Sequence, residues 1–324
     1  MASTKPSDSS TQPASSSISG YEFRGIKKDP GKRASEIKPT DNMKQMANDH
    51  KAIIISTVTS ALKLINVISR SELPTMACWH LLRLSPTNGA IREILSLVRS
   101  CLLDMDMQLT DGKGNARVAT VARLKGDKSN RDNRGRDLPT FKFVQVERAG
   151  DDNEKTSMAI ASLYHTIYCY QNFFDLGPLD VTKAVSPQSL VSTRAATLIH
   201  ELVRYVSCHH FVSIMEACQN SRIQMYAKVH RIPMFIDFEI VSSKETGWNA
   251  FFRPRDDEHD AQHEDARLAH IRETGDEQIE LCYGMTNCKK LVRGIDGYAG
   301  AFFNADNWSC LFATAYFETC KGQA

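Results

Sequence analysis

From residue 49 onward, hydrophobic positions recur at helical spacing. In "KAIIISTVTSALKLINVIS" (51–69), Ile54, Val58, Ala61, Leu62 and Ile65 fall on one stripe, which predicts a helix with a buried face. "IREILSLVRSCLLDM" (91–105) has the same period and follows the turn signal "SPTNG". The period then changes to two. "NARVATVARL" (115–124) and "TFKFVQVER" (140–148) alternate apolar and polar residues, predicting a strand pair across the charged loop "KGDKSNRDNRGRDLP". Helical spacing is expected again over "SMAIASLYHTIYCYQNFFDL" (157–176) and "VSTRAATLIHELVRYV" (191–206), the latter with a Ser or Thr available as N-cap. The chain closes with an apolar helix over "NADNWSCLFATAYFETC" (304–320), with Asn304 or Asp306 near its start.

Two segments stand outside these patterns. Residues 1–45 are rich in Ser, Thr, Pro, Lys and Asp and have hardly an aliphatic cluster, so they read as a disordered polar tail. Residues 244–279 are polar and acidic, as expected of an insertion. Within them "DDEHDAQHEDARLAH" places His259 and His263 one helical turn apart, with His270 beyond. That face could hold a metal, but no apolar residues wall it off, and a solvated charge run is the simpler reading. The expected architecture is therefore α+β and helix-dominated, with a small strand pair, in one domain over residues 46–324.

Composition narrows the function classes. With 324 residues and a formal net charge of +2, the chain has no strong field to attract nucleic acid or an anionic membrane. No early apolar run was expected to span a bilayer, and no leader-like segment precedes residue 45. Taken literally, this places the chain in the cytosol. The nine cysteines include no CxxC pair, and they read as buried thiols or, for the four in the last 43 residues, as disulfide partners. The glycines at 294, 297 and 300 lack the spacing of a phosphate loop, and no G-x-S-x-G occurs.

The chemistry concentrates in "TRAATLIHELVRYVSCHH" (193–210). His200-Glu201 opens an H-E-x-x-H motif, in which two histidines four apart reach one zinc and the glutamate holds the attacking water. The second histidine is replaced by Arg204, whose guanidinium has no lone pair for a metal and repels a dication. On a continuous helix His209 points away from His200, and His210 lies roughly 15 Å further along the axis.

Several stretches, in order, resemble the fungal aspzincins, the deuterolysin-like and lysine-specific zinc endopeptidases. "TIYCYQNFFDLGPL" is similar to that family's Cys-aromatic segment, and "STRAATLIHELVRY" to its zinc helix. "ELCYGMTNC" (280–288) resembles its G-T-x-D-x-x-Y-G block, and "NADNWSCLFATAYF" its closing helix. The resemblance implies a zincin-like fold, zinc as cofactor, a peptide or protein substrate in a cleft, and secretion. It assigns His200 as first metal ligand, Glu201 as general base, Tyr283 as oxyanion stabiliser and Glu280 as third ligand in place of an aspartate. Glu277-Gln278 replaces the block's Gly-Thr, and Arg204 removes the second ligand. Two functions follow: a zinc metalloendopeptidase impaired at Arg204, or an inactive pseudoprotease serving as a binding module. In the metal-free case Arg204 is expected to pair with Glu280, Glu201 or both.

Overall fold

The computed structural model describes residues 21–25, 41–109, 141–147, 158–161, 166–243, 249–254, 277–294 and 297–322. Among them the fold is α+β and helix-dominated. Its first helices are α1 (Asp41–Ile68), α2 (Thr75–Leu82) and α3 (Gly89–Leu109). The short α4 (Gln171–Asp175) and α5 (Pro187–Val191) lead into α6 (Arg194–Cys218) and α7 (Ser221–Val229). The chain closes with α8 (Gly284–Arg293), α9 (Gly297–Phe303) and α10 (Ala305–Lys321).

Helices α1, α3, α6 and α10 pack against one another and form the core. The α1 stripe is wider than expected: Ile54, Ile55, Val58, Ala61, Leu64, Ile65 and Ile68 are all buried, and Leu62 is at its edge. By length and composition Asp49–Ile68 would also suit a membrane span. Here its apolar face is spent on α3, α6 and α10. Helix α10 lies deepest, with every residue from Ala305 to Tyr316 buried. Burial that complete explains why its sequence reads as apolar all round.

Two small sheets flank the helices. The first has the order β1-β2-β4-β3, from β1 (Tyr21–Gly25), β2 (Lys142–Glu147), β3 (Met158–Ala161) and β4 (Thr166–Tyr170). Its β1–β2 and β2–β4 pairs are parallel and its β3–β4 pair is antiparallel. This corrects the helix expected over residues 157–176: among the described residues there, 158–161 and 166–170 are strands and only α4 is helical. In β4, Ile167 and Cys169 are buried while Tyr168 and Tyr170 are only partly so, a period of two. β-branched and aromatic residues in alternation favour the pleated surface over a helix. The expected strand in 140–148 is present as β2, but its pairing is with β1 and β4; residues 115–124 lie outside the described residues.

The second sheet has the order β6-β5-β7 and is antiparallel, from β5 (Phe238–Ser243), β6 (Asn249–Pro254) and β7 (Glu277–Leu281). Strand β6 and the start of β7 thus fall inside the segment read as an insertion, whose residues 244–248 and 255–276 lie outside the described ones. Of the tail expected over 1–45, Tyr21–Gly25 is a strand and α1 starts at Asp41; the rest is outside the described residues.

Candidate functional site

Helix α6 begins at Thr193, whose hydroxyl oxygen accepts the Ala196 amide at 3.4 Å and caps the first turn. The helix bends at His210, which has non-helical backbone angles. His209 and His210 are both exposed, and the His209 ring lies 4.7 Å from Tyr205. Towards the core, α6 presents His200, Glu201 and, one turn on, Arg204. His200 and Glu201 are buried, and the Arg204 side chain is 31% exposed.

The carboxylate that meets them is Asp237, which belongs to no motif in the sequence. Its position is fixed from both sides. The Phe235 amide donates to the Ser207 hydroxyl on α6 at 2.8 Å. Ile236 bridges to the turn before α10, its amide donating to the Phe303 carbonyl (2.9 Å) and its carbonyl accepting from Ala305 (3.2 Å). These bonds leave Asp237, 5% exposed, between α6 and α10.

Three groups converge on Asp237. Its Oδ2 accepts from Arg204 Nη1 at 3.3 Å and from the Tyr283 hydroxyl at 2.9 Å. Its Oδ1 is 3.2 Å from His200 Nε2 but makes no hydrogen bond of good geometry. On the other side of the ring, His200 Nδ1 is 3.3 Å from Asp306 Oδ1 at the start of α10. Glu201 reaches the group at longer range, 3.8 Å from His200 and 4.0 Å from Arg204. The Tyr283 ring meets His200 edge-on at 5.8 Å. The structure therefore brings His200, Glu201, Arg204 and Tyr283 together, as the motif reading requires. Glu280 lies in β7 opposite Ile240, and its side chain is outside the described residues. Arg204 was expected to pair with Glu280, Glu201 or both; its main partner is instead Asp237 at 3.3 Å, with Glu201 at 4.0 Å.

The charges settle one another. Burial alone would lower the His200 pKa, but the close Asp237 carboxylate, the hydrogen bond to Asp306 and the nearby Glu201 charge reverse this and push it up to about 10. Burial would raise the Asp237 pKa; His200, Arg204 and the Tyr283 hydroxyl instead hold it well below the usual carboxylate range. Arg204 is likewise held charged by Asp237 and Glu201 against its own partial burial. The resting site is an imidazolium and a guanidinium among three acidic residues.

Does this group fit a catalytic zinc? The 3.2 Å between His200 Nε2 and Asp237 Oδ1 is close to the edge of about 3.3 Å between neighbouring donors on a zinc tetrahedron. A catalytic zinc takes three protein ligands, however, and the third corner here belongs to a guanidinium that cannot donate a lone pair. Among the described residues, this group does not complete the three-ligand set of a resident catalytic zinc. Elsewhere, among the described residues, one group of three could hold a metal: Cys288, Asp306 and Cys310. No disulfide occurs; Cys78, Cys169, Cys218, Cys282, Cys288 and Cys310 are buried thiols.

Compared with protein-family models, curated protein sequences and solved structures, the chain gives no significant match.

Proposed function

We propose that this protein is a zincin-like pseudopeptidase: a metal-free relative in design of the aspzincin endopeptidases, whose cleft binds peptide segments without cleaving them. The observation behind this reading is the Arg204–Asp237 ion pair at 3.3 Å. It puts a fixed positive charge at the position of the second metal ligand. His200 sits between two aspartates that favour its protonated form, so an ion would have to displace that proton as well as face the guanidinium. Glu201, the base in the peptidase motif, has no activated water to work on.

The same groups suit recognition. Arg204 spends one N–H on Asp237, and its partly exposed guanidinium has further donors for peptide carbonyls. Tyr283, 41% exposed, lies beside it as an aromatic wall. The ligand class is thus an extended peptide or protein segment.

A second reading, an active zinc endopeptidase with Glu201 as base and Tyr283 as oxyanion stabiliser, is favoured by the ligand-like spacing of His200 and Asp237. One experiment separates the two. Zinc affinity by chelator competition and hydrolysis of labelled casein are measured for the native protein, Arg204→His and Glu201→Gln. The expected result is no hydrolysis by the native protein, and a His200-dependent zinc site that appears only in Arg204→His. Hydrolysis by the native protein that Glu201→Gln abolishes would overturn the pseudopeptidase.

A further inference from the structure

Behind His200, on the far side of Asp306, lies a second cluster that the peptidase motif does not use. Cys288 from α8 and Cys310 from α10 place their sulfurs 3.9 Å apart. Asp306 Oδ2 is 3.5 Å from Cys288 Sγ and 3.8 Å from Cys310 Sγ. Both cysteines are 0% exposed and Asp306 is 8% exposed.

These separations have a specific meaning. With zinc–sulfur bonds of about 2.3 Å and zinc–oxygen bonds of about 2.0–2.2 Å, a tetrahedron has a sulfur–sulfur edge of about 3.8 Å and sulfur–oxygen edges of about 3.5 Å. The three atoms already stand at those edges. Spacings of this kind place two sulfurs and an oxygen around a common point with no rearrangement of backbone.

A second observation comes from Asn304. Its amide nitrogen is 3.8 Å from Cys288 Sγ, and it donates to Asn307 Oδ1 at 2.6 Å and to the Cys282 carbonyl at 3.2 Å. Asn307 in turn donates to the Leu81 and Cys288 carbonyls, which fixes its Oδ1 as the acceptor and hence the orientation of Asn304. That orientation leaves Asn304 Oδ1 fully buried with no hydrogen-bond partner, on a residue whose amide nitrogen meets the cluster. A buried acceptor without a donor is costly unless a water or a cation satisfies it.

We propose that Cys288, Asp306 and Cys310 form a buried structural site for a thiophilic divalent metal, zinc by preference, with the fourth corner open to a water or a nearby oxygen donor. Two thiolates with oxygen donors select zinc over the hard cations. On loading, the ion displaces the two thiol protons, and both sulfurs become ligands. The site would clamp α8 to the first turn of α10. Through the other oxygen of Asp306 it would also fix the ring of His200, which that oxygen meets at 3.3 Å. The ion stabilises the wall of the cleft and takes no part in hydrolysis, so the inference stands whether or not the cleft is active.

The test is native mass spectrometry of the full chain, expressed with zinc, for the native protein, His200→Ala and Cys310→Ser, together with cobalt substitution of the native protein. The expected result is one metal per chain, kept in His200→Ala and lost in Cys310→Ser. The cobalt form should show a near-ultraviolet thiolate-to-cobalt charge-transfer band. If Cys310→Ser fails to fold, the cobalt band in the native protein decides: its presence supports the site and its absence overturns it. A metal lost in His200→Ala and kept in Cys310→Ser would overturn this site and the pseudopeptidase together. Three outcomes would overturn the site alone: metal kept in both variants, no metal at all, or a Cys288–Cys310 disulfide seen as the loss of two hydrogens.

Discussion

Cutting Arg204 back to methionine should leave Asp237 and Glu201 facing each other across a space that still holds their full charge. The cost can be worked from the geometry. Asp237 is nearly fully buried, and the Arg204 side chain is 31% exposed, at 3.3 Å. Removing one partner of a buried pair costs about 3–5 kcal/mol. Because a third of the guanidinium side chain is in water, solvent screening discounts this to about 2–3 kcal/mol for Arg204→Met. For a domain of this size that corresponds to a fall in Tm of roughly 4–10 °C. Asp237→Asn strands the guanidinium in turn, but it should cost less, since the Arg204 side chain is 31% exposed and still has Glu201 at 4.0 Å. A double-mutant cycle in urea isolates the pair, with an expected coupling of about 1–2 kcal/mol. A coupling below about 0.5 kcal/mol would be within the range of independent sites and would refute the reasoning. The guanidinium would then be solvated, and its occupation of the second-ligand position would have no energetic basis.

Two further outcomes follow from other parts of the structure. His200 has a folded pKa raised to about 10 from an ordinary 6.5. Its contribution is fully present below pH 6.5 and is lost as pH rises through 10. Between pH 6.5 and 7.5, before the thiols of the unfolded chain ionise appreciably, urea stability should fall by about 1 kcal/mol, a slope that His200→Leu removes. Gly89, the first residue of α3, has no room for a side chain: a Cβ there would lie 2.5 Å from the Ala217 carbonyl oxygen on α6. Gly89→Ala should therefore cost about 1–3 kcal/mol despite alanine's higher helix propensity, and a neutral result in thermal melts would show that the α3–α6 contact can shift.

The helices that build the core were legible because their apolar residues keep a 3.6-residue period over several turns, as in α1, α3 and α6. The failure at 157–176 has a definite cause. Over a few residues, Ile167 and Cys169 alternating with Tyr168 and Tyr170 cannot be told from one flank of an amphipathic helix, and the pairing of β4 with β2 and β3 that decides the matter is non-local. Half of the candidate site was legible for the opposite reason. His200, Glu201 and Arg204 lie within one turn of a single helix, so local spacing fixes their common face. Asp237 could not be found that way. It reaches the site only because the Phe235 amide bonds Ser207 and Ile236 bridges to Phe303 and Ala305. The one local clue was an acidic residue inside "PMFIDFEIV", an otherwise apolar run entering a strand. Asp306 had a clearer signal, as an acidic residue in the first turn of a helix too apolar to be exposed.

Arg204→His tests whether the guanidinium does the work that a metal would otherwise do. Glu201, Asp237 and Asp306 surround His200, and Arg204 supplies the second of two positive charges that hold these acids in a small volume. Exchanging it for histidine removes a permanent charge and provides a lone pair. Without metal the variant should lose stability much as Arg204→Met does. With zinc, His200, the new histidine and Asp237 can serve as three ligands, and free zinc at about one hundred times its Kd would return about 2.7 kcal/mol. The assay is a thermal melt of Arg204→His with and without zinc, set beside the same pair for the native protein. Destabilisation without zinc and rescue with it, dependent on His200, is the expected pattern. An Arg204→His protein as stable as the native one without zinc would mean that the acids do not need a cation at this position. In that event the ion pair could not be what keeps a metal out.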